Sequence, residues 1–190
     1  MFRSTTFRLL AIFCFANAAG AAPVVYALDR DRSTVSFETD FGPDIISGTI
    51  PLNSADLTLD FDQVANCTIA VDLDVSGAQA SFPFAAQALK GPKVLDAKNH
   101  PQMTFASTGV TAKGGGALVA GNLTIRGVTR PVTLSAEIYR QTGTETGDRS
   151  RMTVRLVGKV KRSAFGASGW SDLVSDEVRI IITARITAKE

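Results

Sequence analysis

Apolar and polar positions alternate along two adjoining arms between Val119 and Ile138. Val119, Leu123 and Ile125 alternate with Asn122, Thr124 and Arg126, and then Val132, Leu134, Ala136 and Ile138 alternate with Thr133, Ser135 and Glu137. Successive side chains of a strand point to opposite faces, so a period of two gives each arm one apolar and one wet face. Gly127 and Pro131 bracket the connection between them. The pair reads as an antiparallel hairpin, with Pro131, which has no N–H to donate, opening the return strand.

The same rhythm recurs along most of the chain. Tyr26 and Leu28 lead into Val35, Phe37 and Phe41, with Asp29–Ser33 as a polar break. Ile46, Gly48 and Ile50 share a parity, as do Leu57, Leu59 and Phe61. Cys67, Ile69, Val71, Leu73 and Val75 follow; then Met103 and Phe105; then Met152, Val154, Leu156 and Val160; and last Val178, Ile180, Ile182, Ala184 and Ile186. No helix of period 3.6 could bury such sets on one side. The pattern lapses only between Gly77 and Pro101, where Ser81–Lys90 is alanine-rich, has Pro83 placed for a first helical turn, and is stopped by Gly91-Pro92.

Eight to ten short strands and one helix indicate an all-β fold, either a sandwich or an antiparallel barrel. A barrel removes the exposed edges, and about eight strands leave an interior wide enough for side chains or one small ligand. Gly48, Gly121, Ala136, Gly158 and Ala184 are small residues on the apolar parity. Facing inward, they would leave a lumen underfilled; otherwise the glycines mark bends where the sheet curls.

The N-terminus changes the reading of charge. Arg3 and Arg8, the apolar run Leu9–Phe15 and the small residues Ala18–Ala22 have the layout of a secretory leader, too short for a membrane span, with cleavage expected after Ala21. Removing residues 1–21 takes two of the 20 Lys+Arg and none of the 18 Asp+Glu, so the remaining chain of about 169 residues is formally neutral. No surplus charge argues for nucleic acid or for anionic membrane binding, and no stable membrane insertion is expected. Cys14 follows Phe13, which disfavours a lipid anchor, and Cys67 alone remains, so no internal disulfide forms.

The inventory is equally thin for catalysis. An imidazole-activated nucleophile or a zinc site needs histidine or cysteine clusters, and the chain offers His100 and Cys67. Asp72 and Asp74 share a strand face, as acid/base carboxylates might, but that face is the polar one. Ser168 lacks the glycine spacing of a nucleophile elbow, and neither glycine-rich stretch has a phosphate-loop pattern. No catalytic residue, metal or cofactor is expected.

Four segments together resemble the YceI-like family: Tyr26-x-Leu28-Asp29 with Ser33-x-Val35-x-Phe37; Asn99-His100-Pro101-Gln102-Met103-Thr104-Phe105; the hairpin Gly121–Val132; and Arg162-Ser163-x-Phe165-Gly166. The resemblance covers essentially all of residues 22–190. It implies a single antiparallel lipocalin-like β-barrel of about eight strands, with the short helix closing one end. It further implies export to the periplasm and a polyisoprenoid, such as an isoprenoid quinone or prenyl chain, held as ligand in the lumen. Members often carry a histidine where this chain has Thr39-Asp40-Phe41, and an acidic residue and a histidine just before the helix leucine, where it has Ala86, Ala88 and Leu89, so a poorer polar rim is expected here. Candidate lining residues are Phe37, Leu73, Met103, Phe105, Leu123, Ile125, Leu134, Ala136 and Ile180, with Phe82, Phe84, Leu89 and Phe165 as mouth or lid. A lipid-modifying enzyme in the same barrel and an interaction module with a filled core are the alternative readings, and a homodimer is left open.

Overall fold

The computed structural model describes residues 22–141, 143 and 145–189, so the expected leader lies outside the described residues. Ten strands follow in order: β1 (Val24–Phe41), β2 (Asp44–Thr49), β3 (Leu52–Leu59), β4 (Thr68–Asp74), β5 (Gln79–Ala80), β6 (Gln102–Lys113), β7 (Gly116–Ile125), β8 (Val128–Arg140), β9 (Arg151–Lys161) and β10 (Val174–Ala188). One α-helix, α1 (Pro83–Lys90), interrupts them, and 3₁₀ turns lie at Val64–Asn66 and Arg162–Phe165.

Neighbouring strands pair antiparallel in the order β10-β9-β8-β7-β6-β4-β3-β1, and β10 pairs again with β1, closing an eight-stranded barrel. β2 and β3 act as one stave kinked at Pro51: β3 pairs with Val24–Tyr26 of β1, and β2 with Ser36–Phe41 of the same strand. β5 adds a two-residue flap to β2. Barrel closure leaves no long unpaired edge, which is how a chain with this many apolar strands avoids edge-to-edge association.

The polar segment Asp29–Ser33 does not break the first strand, as the sequence suggested. β1 runs through it, and the register against β10 shifts between Asp29 and Thr34. The shift is required by parity: Leu28 and Val35 both line the interior although one is an even and the other an odd position, and only extra residues in a bulge can turn both inward. β3 repeats the device, shifting register between Leu52 and Ser54 so that Leu52 and Ala55 both face in.

The β7–β8 hairpin turns through Arg126 (φ 53°) and Gly127 (φ 72°), the two positive φ values of a tight primed turn. β8 therefore begins at Val128, and Pro131 lies within it, opposite Asn122, not at its first residue. Counting outward from the closing Ile125–Val128 pair, position 131 directs its backbone nitrogen away from β7. On that side β9 begins to pair with β8 only at Ser135, so the missing donor costs no ladder bond.

The five small inward residues also need correction. A Cβ on Gly48 or Gly121 would fall on the rings of Phe37 or Phe105, and one on Gly158 on the Leu134 side chain. These glycines are neither bends nor gaps; each is a well into which a large neighbour lies flat against the wall.

Strand polarity separates two ends. Around one lie both chain termini of the barrel and the β3–β4, β6–β7 and β8–β9 connections; Tyr26 meets Phe61 edge to face at 5.8 Å there and donates its hydroxyl to the Arg149 carbonyl. The other end carries the β1–β2 and β7–β8 turns, α1 and the β9–β10 loop. Outward faces are polar and ion-paired, as where Arg179 meets Glu38 and Asp40 and Lys159 meets Glu177. That is the reverse of a membrane-spanning barrel, whose lipid-facing band is apolar. Among the described residues no helix is long and apolar enough to cross a membrane.

Candidate functional site

The barrel encloses a cavity of about 890 Å³ that runs from the Phe61, Val64 and Cys67 end to α1. Its size lies near the top of the range of small-molecule sites, about 300–1,000 Å³. Every stave contributes inward side chains at every second position: Val119, Leu123 and Ile125 from β7, Leu134, Ala136 and Ile138 from β8, and Val178 to Ile186 from β10.

All of the residues singled out from the sequence stand on this wall. Phe37, Leu73, Met103, Leu123, Ile125 and Ile180 belong to an apolar cluster in the half nearer α1, and Ala136 to a second cluster at the far end. Phe105 packs against both. Leu134 covers the Gly158 well. Leu89 points from α1 into the near cluster, and Phe82 and Phe84 border the opening. Phe165, 2% exposed, is buried in the near cluster, behind the exposed side chains of the opening.

Sequence reasoning missed Phe41, Trp170, Leu173 and Val174, which complete the opening, and also the polar groups beside them. The one signal was a large apolar pair, Trp170 and Leu173, in a loop otherwise small and polar. Arg162, 8% exposed, lies on the cavity wall and is held wholly by main-chain carbonyls. Its Nε donates to Ser175 O (2.9 Å), its Nη1 to Ala167 O and Gly169 O (both 2.7 Å), and its Nη2 to Val174 O (2.9 Å). The Thr39 hydroxyl donates to Glu177 O at 3.0 Å, and Ser36 Oγ to Ile181 O at 2.9 Å. These three polar side chains of the wall are thus spent on the barrel's own backbone, while Gln87 of α1 lies exposed at the rim.

Further ties stitch the opening together. Gly169 N donates to Lys93 O, Gly42 N to Leu173 O, and Arg126 Nη1 to the carbonyls of Pro92 and Val94. The loops after β1, α1, β7 and β9 are therefore held as one rim, with the start of α1 as its least tied part.

The groups considered for chemistry lie elsewhere or are disarmed. His100 sits against Gly127 at the hairpin turn, off the cavity wall. Asp72 and Asp74 face outward, and Asp74 Oδ1 accepts from Ser76 N. Cys67 does line the cavity, but burial pushes its thiol above the usual range, so it stays protonated at neutral pH. Among the described residues no three His, Cys, Asp or Glu side chains gather as a metal site.

Comparison with known proteins agrees with this architecture. The model of the YceI-like domain matches residues 26–186. A UPF0312 protein of Serratia proteamaculans is 26% identical over 186 residues, covering 96% of each chain, and protein YceI of Salmonella arizonae is 27% identical over 170 residues, covering 88% of each. The crystal structure of Burkholderia cenocepacia BcnA superposes with a TM-score of 0.75 at 27% identity, over 84% of this chain and 99% of that one. The Campylobacter jejuni YCEI protein gives 0.61 at 25% identity, over 74% and 85%. With the model matched over nearly the whole barrel, from Tyr26 near the start of β1 to Ile186 of the closing strand, the chain belongs to the YceI-like family.

Proposed function

We propose that this protein is exported to the periplasm and holds a polyisoprenoid lipid, an isoprenoid quinone or prenyl chain, in its lumen for carriage or storage. The observation that carries this reading is an 890 Å³ cavity walled almost entirely by apolar side chains, on which Ser36, Thr39 and Arg162 are bonded to main chain and Gln87 of α1 lies exposed at the rim. Such a space rewards length and apolarity in a ligand. Each methylene taken from water contributes about 0.8 kcal/mol, so a few isoprene units bind tightly with few polar contacts. Branched, flexible chains suit a wall of Leu, Ile, Val and Phe without fixed hydrogen-bonding positions. Binding proceeds by shape and burial, without a bond made or broken.

Native mass spectrometry of protein purified from its own periplasm tests both halves of the reading. A chain starting at Ala22 with one lipid of constant mass is the expected result. A mixture of two lipids related by a chemical step would replace the carrier by an enzyme, and bare protein would mean that the lumen is no lipid site.

A further inference from the structure

Among the described residues, the large apolar side chains exposed to solvent are unevenly distributed. Ile45, Phe82, Phe84, Trp170 and Leu173 all lie at the open end of the lumen, while Val24, Val25 and Tyr139 lie at the other. Phe84 is 83% exposed, Leu173 57% and Trp170 47%. They form one surface: the Phe41 and Phe82 rings are 6.4 Å apart, Gly42 is hydrogen-bonded to Leu173, and the Lys93 ammonium lies 5.9 Å above the Trp170 ring.

We propose that this rim docks on the surface of a lipid bilayer, inserting Phe84, Trp170 and Leu173 among the headgroups and upper acyl chains while the barrel stays outside. This rests on the reading that the lumen takes a lipid, and it names where the lipid comes from. Four of these side chains, Phe82, Phe84, Trp170 and Leu173, also line the lumen, so the apolar surface outside is continuous with the cavity inside. A long lipid crossing a docked rim never exposes its chain to water, whereas release into solution would cost about 0.8 kcal/mol for each methylene.

A second copy seated on this rim would close the lumen to lipid, whereas a bilayer delivers lipid to it. From the 150–250 Å² that large side chains carry, the five expose on the order of 500 Å² together, at the large end of the apolar patches a monomer shows. Lys90 and Lys93 are offset by Asp44 and Asp172 around the opening. The rim thus has no strong sign, and docking is driven by apolar insertion, with Lys93 over Trp170 matching the aromatic and snorkelling groups favoured at headgroup level.

Trp170 is the chain's single tryptophan and reports directly on the rim. The mature protein mixed with phosphatidylcholine vesicles should show blue-shifted tryptophan emission, quenched by acyl-brominated lipid, and adding phosphatidylglycerol or salt should change the bound fraction little. Phe84→Asp should lower vesicle binding about tenfold or more, the factor expected from losing one buried ring. Ile45→Asp, whose side chain is off the lumen wall, should weaken binding while leaving the lipid content seen by native mass unchanged. Unshifted, unquenched emission would overturn the proposal, as would binding confined to anionic vesicles at low salt. A concentration-dependent dimer dispersed by either substitution would give the rim to a second copy. Because Trp170 also lines the lumen, cosedimentation with the vesicles reports the rim and the mass measurement reports the lumen, so each reading can fail alone; quenching without cosedimentation would place the brominated lipid in the lumen and overturn docking.

Discussion

Ala136 shows what a single inward position can decide. It is 5% exposed, stands on the lumen wall of β8 and belongs to the far apolar cluster with Val119, Met152 and Ile186. If that end of the lumen is ligand space, Ala136→Phe places a ring in the cavity. Thermal stability of the lipid-free protein is then held or raised, and bound lipid shifts toward shorter chains. In a close-packed interior the same change costs about 1–3 kcal/mol. Melting curves together with native mass check the outcome: a destabilised variant that keeps its full lipid load means that Ala136 faces packed protein. The inward parity of Ala136 and its eight companion lining candidates was legible in the sequence, because alternation directly encodes which face a strand residue joins. The glycine wells were not. Whether Gly48 meets Phe37 or empty space depends on cross-strand register, which alternation on one strand does not contain. Arg162 was equally hidden as a wall residue, because its partners are backbone carbonyls and leave no side-chain signature.

At the scale of elements, the strands and α1 were readable and their junctions were not. The parity flips of β1 and β3 are present in the sequence, but a polar run that marks a bulge looks the same as one that ends a strand. The β3–β4 connection is a similar case, since its order comes from one carboxylate. Asp60, buried, accepts Asp62 N and Gln63 N on Oδ1 and the Asn66 amide on Oδ2. The Asn66 hydrogen bond foremost, then that from Gln63, holds its carboxyl below the usual range against the opposing effect of burial. A carboxylate whose folded pKa is depressed stabilises the fold above its unfolded pKa of about 4, and that contribution is lost as pH falls through the folded value. Asp60→Ala should therefore melt below the parent at neutral pH, with the gap narrowing as the pH is lowered below about 4. Asp40 and Asp176 are shifted in the same direction, so the parent itself also loses stability in acid. Thermal melts of both proteins across pH 3 to 7 make the comparison; a gap of constant size would show that the ionised carboxylate is not what orders the connection.

For the whole molecule, the closure that makes a lumen joins β1 to β10, the two most distant strands of the chain, and no local pattern could announce that pairing. What the sequence did carry was a surplus of apolar staves over anything available to cover them outside, which the barrel resolves by turning all of them inward. The result is a core in two clusters with about 890 Å³ of space along the wall that joins them. A closed ladder of eight staves keeps such a shell folded without a ligand, but its inward side chains lack partners on one side and forgo the contacts a filled interior would have. A lipid that binds the folded barrel and not the unfolded chain supplies them, and mass action fixes the gain at about 2.7 kcal/mol for free ligand at a hundred times its dissociation constant. For a domain of this size each kcal/mol is worth about 2–4 °C, so protein stripped of lipid should fold and melt cooperatively about 5–10 °C below loaded protein. Prenyl lipid returned in mild detergent should restore the difference, and the same detergent alone should not. Scanning calorimetry of stripped, reloaded and Ala136→Phe protein would locate the effect in the lumen: the ring should raise the stripped form and shrink the gain from a long chain. If stripping and reloading leave the transition where it was, the shell is already satisfied by its own side chains and the lumen is not where the lipid acts.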